Sequence, residues 1–255
     1  MIKLGVCTGI DNINKIAAAG FDYLEANLTQ LARMSDEEFE NVLKTVSAAP
    51  IGVEACNCMM PGDIRLTGPG VNMQQIHEYL DTAFERAERL GVKTVVFGSG
   101  RSRMVPEGFD TAQAWRQIDN FLRACEKHAA QHDITVVIEP LRSVECNIMN
   151  YVSEATLMAA LINLPHIAVL GDTYHMEMGG ESFNSLRMAG SLLKHVHVAN
   201  AIGRKFPRPG DGEKYADLFE ALKDIGYEGR VSVEGGCDDF DADVGPAFEA
   251  LNAVR

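Results

Sequence analysis

The sequence predicts an α/β fold, a (β/α)8 barrel formed by residues 1–255 as a single domain, and three observations predict it. Short apolar runs alternate with longer amphipathic ones eight times along the 255 residues, and strand–helix units of about 30 residues fill a chain of that length. The stretches AAAGFDYLEA, AERLGVKTVVF and LKDIGYEGRVSVE each pass from a helix end through glycine into a strand, the echo of one repeated unit. No G-x-G-x-x-G follows the first strand, which sets aside a doubly wound dinucleotide-binding sheet.

In chain order, the strands are expected at Lys3 to Cys7, Tyr23 to Ala26, Ile51 to Asn57, Thr94 to Phe97, Thr135 to Ile138, Ala168 to Leu170, His195 to Val198 and Val231 to Val233. Between them, Ser35 caps a helix in which Glu38 completes a capping box and Phe39, Val42, Leu43 and Val46 form the apolar stripe. Asn72 caps the next, which places Ile76, Leu80, Ala83, Ala87 and Leu90 on one face before Gly91 ends it. His77 falls off that stripe and is expected in solvent. The helix from Asp110 turns Trp115, Ile118, Leu122 and Cys125 inward. Later helices are expected to begin near Ser153, Phe183, Tyr215 and Val244. The glycine- and proline-rich CNCMMPGDIRLTGPG after the third strand is long for its place and could serve as a lid.

Twenty-three basic against 36 acidic residues give a net charge of −13, a field that repels phosphate backbones and anionic membranes. Nucleic acid and membrane partners are therefore not expected. No run of about 18 apolar residues occurs and the start lacks a secretory pattern, so the expected location is the cytoplasm. Six scattered cysteines without C-x-x-C spacing read as free thiols.

The chemistry lies at the strand ends. ITVVIEPLRSVE is a strand apolar on both faces that finishes on Glu139, with Pro140 stopping the ladder. The next three strands finish on Asp172, His197 and Glu234. In a barrel these ends converge on one face. Three carboxylates and an imidazole brought together would repel and take up protons unless a cation joined them, and a donor set mostly of oxygens suits Mn²⁺, Mg²⁺ or Co²⁺ better than a structural zinc. His195, two residues before His197 in KHVHV, reads as a packed, hydrogen-bonded residue of the layer below. Arg65, Arg101 and Arg103 read as solvated or paired with the acidic surface, which favours an unphosphorylated ligand.

The runs IEPLRSVE, GDTYHM, KHVHVAN with the later Arg204, and VSVEGG resemble the xylose-isomerase-like barrel family of sugar isomerases and epimerases, and within it the D-tagatose and D-psicose type of ketose 3-epimerases. The resemblance implies that Glu139, Asp172, His197 and Glu234 hold a divalent metal, commonly manganese, and that Glu139 and Glu234 are the catalytic acid and base. It also implies that Glu145, His175 and Arg204 touch the substrate's oxygens, and that the protein forms a dimer or tetramer. Arg204 follows His197 at a slightly longer gap than the resemblance leads one to expect.

The implied reaction is proton transfer through an enediolate on a small ketose. Two carboxylates on opposite faces of a carbon next to a carbonyl can remove the proton from one side and return it from the other. An inosose dehydratase-type lyase and a hydroxypyruvate-type isomerase use the same enolate chemistry and stand as alternatives, with a non-catalytic sugar-binding barrel behind them. An apurinic-site endonuclease shares the barrel but needs several more metal-binding histidines and a basic face, whereas this chain has seven histidines in all and a net charge of −13.

Overall fold

Parallel strands β1 (Lys3–Cys7), β2 (Tyr23–Asn27), β3 (Gly52–Asn57), β4 (Thr94–Phe97), β5 (Thr135–Ile138), β6 (Ile167–Asp172), β7 (Leu193–Val198) and β8 (Arg230–Val233) pair in sequence order. β8 then pairs with β1, with Leu4 opposite Val231, and the barrel closes. The computed structural model describes residues 1–255. The outer layer is made of α1 (Ile13–Ala19), α2 (Leu28–Arg33), α3 (Asp36–Ser47), α4 (Met73–Leu90), α5 (Gly100–Arg103), α6 (Thr111–His132), α7 (Val152–Ile162), α8 (Thr173–Met178), α9 (Asn184–Ala189), α10 (Tyr215–Asp224) and α11 (Phe240–Asn252). All eight strands fall where the apolar runs place them, with ends shifted by at most two residues at β6 and β7.

The helix signals act as read. Ser35 accepts from the Glu38 backbone N–H while the Glu38 side chain accepts from that of Ser35, so two otherwise unpaired donors are satisfied at the start of α3. Asn72 caps α4, and Gly91 ends it in the left-handed region at φ 86°. α11 begins four residues before Val244, because Asp239 accepts from the N–H groups of Asp241 and Ala242 and starts the helix there. Short α1, α2, α5 and α8 were not foreseen, since four to seven residues carry too little periodicity to stand out.

Two surface expectations change, and one surface feature is new. The loop after β3 is tied down: Met60 N–H donates to Ser99 Oγ, Leu66 N–H to the Ser102 carbonyl, and Gln117 clasps both backbone groups of Gly68. Its own Met59, Met60, Ile64 and Leu66 are buried, so the loop is packed onto the barrel. His77 is half-buried and bonds through Nδ1 to His128 Nε2 at 3.0 Å. α7 and α9 pack together and leave Leu157, Leu161 and Met188 exposed, an apolar strip that the weak amphipathicity of α7 conceals in the sequence.

Candidate active site

Glu139 follows β5 directly, Asp172 ends β6, His197 is the penultimate residue of β7 and Glu234 follows β8. Adjacent strands in a barrel deliver adjacent ends, and one ligand atom from each of these four residues lies within 4.8 Å of the others. His197 Nδ1 stands between the two glutamates, 3.2 Å from Glu139 Oε1 and 3.3 Å from Glu234 Oε2. The shape of the pocket depends on a residue the sequence reading passed over. A Cβ on Gly98, just past β4, would lie 2.0 Å from Glu139 Oε2, so only glycine leaves that carboxylate its position.

Arg204 enters from the loop after β7 and donates to Glu234 Oε2 at 2.5 Å and to Asp172 Oδ2 at 3.3 Å. The longer gap from His197 is taken up by a turn in which Gly203 (φ 78°) and Arg204 itself (φ 51°) are left-handed. His175 lies in the first turn of α8, with Nε2 3.7 Å from Asp172 Oδ2. Its Nδ1 accepts from the Arg142 N–H at 3.3 Å, which puts the ring proton on Nε2, toward the cluster. Glu145 sits at the rim, bonded to Arg142 Nε at 2.6 Å. Asn57, at the end of β3, donates to Glu234 Oε1 at 3.1 Å. Like Glu139, it is a polar residue closing an apolar strand, and that signal was available in the sequence.

Arg103 is the larger surprise. It is wholly buried and grips the carbonyl oxygens of Phe97 (3.1 Å) and Glu139 (2.7 Å), bracing the ends of β4 and β5. The expectation that it would be solvated or paired with acids fails because α5 turns it inward. Arg65 likewise donates to the carbonyls of Arg101 and Met104 and pairs with no acid.

The charges do not balance among themselves. Burial opposes the ionised form of Glu234, but His197 and then Arg204 hold its carboxyl down to about 2. Burial, with Glu139 and Glu234 alongside, pushes the Asp172 carboxyl up to about 8. Burial would also strip His197 of its charge, yet Glu234 and then Glu25 keep its pKa well above the ordinary value. His175 is pulled down to about 4 by burial and then by Arg204, and so is neutral at pH 7. With no cation to join the cluster, the surplus negative charge is relieved by protonation at Asp172, the carboxyl with the weaker hold on Arg204. A divalent cation with metal–ligand bonds of about 2.0–2.2 Å spans ligand atoms up to about 4.4 Å apart. The four donors could hold one with little contraction.

Fold and cluster together define a closed (β/α)8 barrel with a buried carboxylate–imidazole centre at the carboxyl ends of its last four strands. The chain belongs to the xylose isomerase-like TIM barrel family, whose model matches residues 13–254. A D-psicose 3-epimerase of Agrobacterium fabrum (strain C58) is 25% identical over 236 residues, 87% of this chain and 77% of that protein. Among solved structures, the D-psicose 3-epimerase with D-tagatose from Clostridium cellulolyticum H10 superposes with a TM-score of 0.87 at 21% identity, covering 99% of both chains. The apo form of 3-keto-D-glucoside 4-epimerase from E. coli gives 0.84, also at 21% identity, over 99% of this chain and 100% of that one.

Proposed function

We propose that this chain, one barrel domain over residues 1–255, is a divalent-metal-dependent sugar epimerase or isomerase that moves a proton at a carbon next to a carbonyl of a small ketose. The observation that carries the reading is the convergence of Glu139, Asp172, His197 and Glu234. The relatives named above are all epimerases acting on sugars, which supports an isomerase.

Glu139, Asp172, His197 and Glu234 would hold the metal, with Mn²⁺ preferred and Mg²⁺ or Co²⁺ as alternatives for a donor set of three oxygens and one nitrogen. Bound there, a divalent cation supplies Lewis-acid stabilisation for the negative charge that develops on the substrate oxygens. Glu139, after β5, and Glu234, after β8, reach the pocket from the two strands that flank β6 and β7, which would let the two carboxylates face a sugar carbon from different sides. One removes the proton, and the other returns it from the opposite face and inverts the carbon. His175 offers a neutral Nε2–H to a substrate oxygen, and Arg204, already beside Glu234, offers a charged donor next to it. Glu145 is the rim contact for a hydroxyl, its carboxylate oriented by Arg142. On this reading the enzyme works in the cytoplasm as a dimer or tetramer.

The test is metal analysis of the purified protein followed by solvent-deuterium exchange into a panel of ketohexoses, ketopentoses and inososes. Glu139→Gln and Glu234→Gln are each expected to abolish exchange with the barrel intact by circular dichroism; normal exchange in either variant sinks the mechanism.

A further inference from the structure

Beneath the four-residue centre, the barrel interior holds a hydrogen-bonded chain that the proton transfer itself does not use. Glu25, in the middle of β2, is buried and aims its carboxylate across the barrel at β7 and β8. His195 Nε2 lies 2.7 Å from its Oε2, and His197 Nε2 lies 2.9 Å from its Oε1. Ser232, on β8, donates its hydroxyl to Glu25 Oε2 at 2.5 Å. That leaves the Ser232 oxygen free to accept from the Tyr23 hydroxyl at 2.6 Å. A Cβ on Gly5 would fall 2.3 Å from the Tyr23 ring, so the glycine in β1 is what allows the ring to lie across the interior.

An ionised carboxylate only accepts hydrogen bonds. Both imidazoles must therefore present Nε2–H to Glu25. A separate observation agrees for His195, whose Nδ1 is buried without any partner, as the bare nitrogen of an Nε2–H ring would be. For His197 the same constraint leaves Nδ1 as the nitrogen that looks into the centre, between Glu139 and Glu234. Filling a barrel interior requires no charge, and a carboxylate placed there is costly unless several donors satisfy it. Here three donors from two strands do so.

We infer that Glu25 is the positioning residue of the metal centre: by accepting from Nε2–H of His197 it fixes the tautomer and tilt of that ring and presents Nδ1 to a divalent cation. His195 and Ser232 hold Glu25 in turn, and Tyr23 holds Ser232. The inference rests on reading the four converging residues as a metal site.

Glu25→Gln keeps the volume but sets an amide N–H against one of the imidazole N–H groups. Its Kd for Mn²⁺, titrated by electron paramagnetic resonance, is expected to rise about 10- to 100-fold, and Glu25→Asp, which keeps the charge, to recover part of that loss. In the Mg²⁺-loaded wild-type protein, ¹⁵N-histidine spectra are expected to show His195 and His197 both as Nε2–H tautomers, a readout that depends neither on turnover nor on how the variants fold. An Nδ1–H tautomer at either ring, or wild-type Mn²⁺ affinity in Glu25→Gln, overturns the positioning role and leaves the metal reading standing. A wild-type protein that takes up no Mn²⁺, Mg²⁺ or Co²⁺ overturns the metal reading, and the role of Glu25 with it.

Discussion

Gly98→Ala adds a single methyl group to the pocket wall and should separate the site from the fold. The new Cβ would start 2.0 Å from Glu139 Oε2, the free end of a side chain, whereas its next neighbours are 3.1 and 3.7 Å away. Carbon and oxygen need rather more than 3 Å, so the carboxylate has to retreat by about 1 Å. Rotating the tip of a glutamate is easy, and the stability loss should fall at or below the low end of the roughly 1–3 kcal/mol typical of overpacking. Function is less forgiving, because a misplacement of about 1 Å at a reacting group can cost about 100-fold, or about 2.7 kcal/mol of transition-state stabilisation. Two measurements suffice: urea unfolding for stability, and Mn²⁺ titration with solvent-deuterium exchange for the site. The expected result is a nearly unchanged midpoint beside metal binding and exchange weakened by one to two orders of magnitude. Wild-type affinity and exchange in Gly98→Ala would refute the placement of Glu139 in the centre.

Two further outcomes follow from groups outside the proposed acid–base pair. The native His175 pKa of about 4 lies below the ordinary 6.5, so the unfolded chain binds the proton first as pH falls. Stability is then lost between about pH 6.5 and 4, by up to about 3 kcal/mol, and metal-stripped His175→Asn should show a shallower fall over that window in urea titrations; an identical slope counts against it. Ser35→Ala removes the acceptor of the α3 capping box and should cost about 1 kcal/mol, or about 2–4 °C in melting temperature for a chain of this size, with exchange activity untouched. No shift in a thermal melt would contradict that.

The architecture was legible because its signals are local. β-branched runs, glycine at helix ends and the caps at Ser35, Asn72 and Asp110 each act within a few residues, and eight repeats leave one closed topology. The four strand-end donors could be read for the same reason: each breaks an apolar pattern at the point where the chain leaves the sheet. Gly98 could not be recognised, since nothing local distinguishes it from any loop glycine, and its importance comes from a carboxylate at the end of the next strand, remote in sequence but 2.0 Å from its Cβ position in space. Arg103 was misjudged because GSGRSR looks like an exposed basic loop until α5 turns one guanidinium into the core. Glu25 did carry a signal, a charge inside an otherwise apolar strand, but its partners come from β7 and β8, beyond the reach of any local rule.

Asp172 serves two structures at once. Its Oδ1 accepts from the backbone N–H groups of Tyr174 and His175, starting α8, while Oδ2 faces Arg204 and His175 in the pocket. The helix that carries His175 is therefore hinged on the same carboxylate that helps build the centre. Changing Asp172 cannot adjust one without releasing the other: a loss of charge at one oxygen reaches the substrate face as a loosened histidine, and the two effects are inherited together. Under the proposed function, variation that retunes the preference for one sugar over another would come from positions near the pocket that do not anchor it, such as Glu145 and Arg142 at the rim.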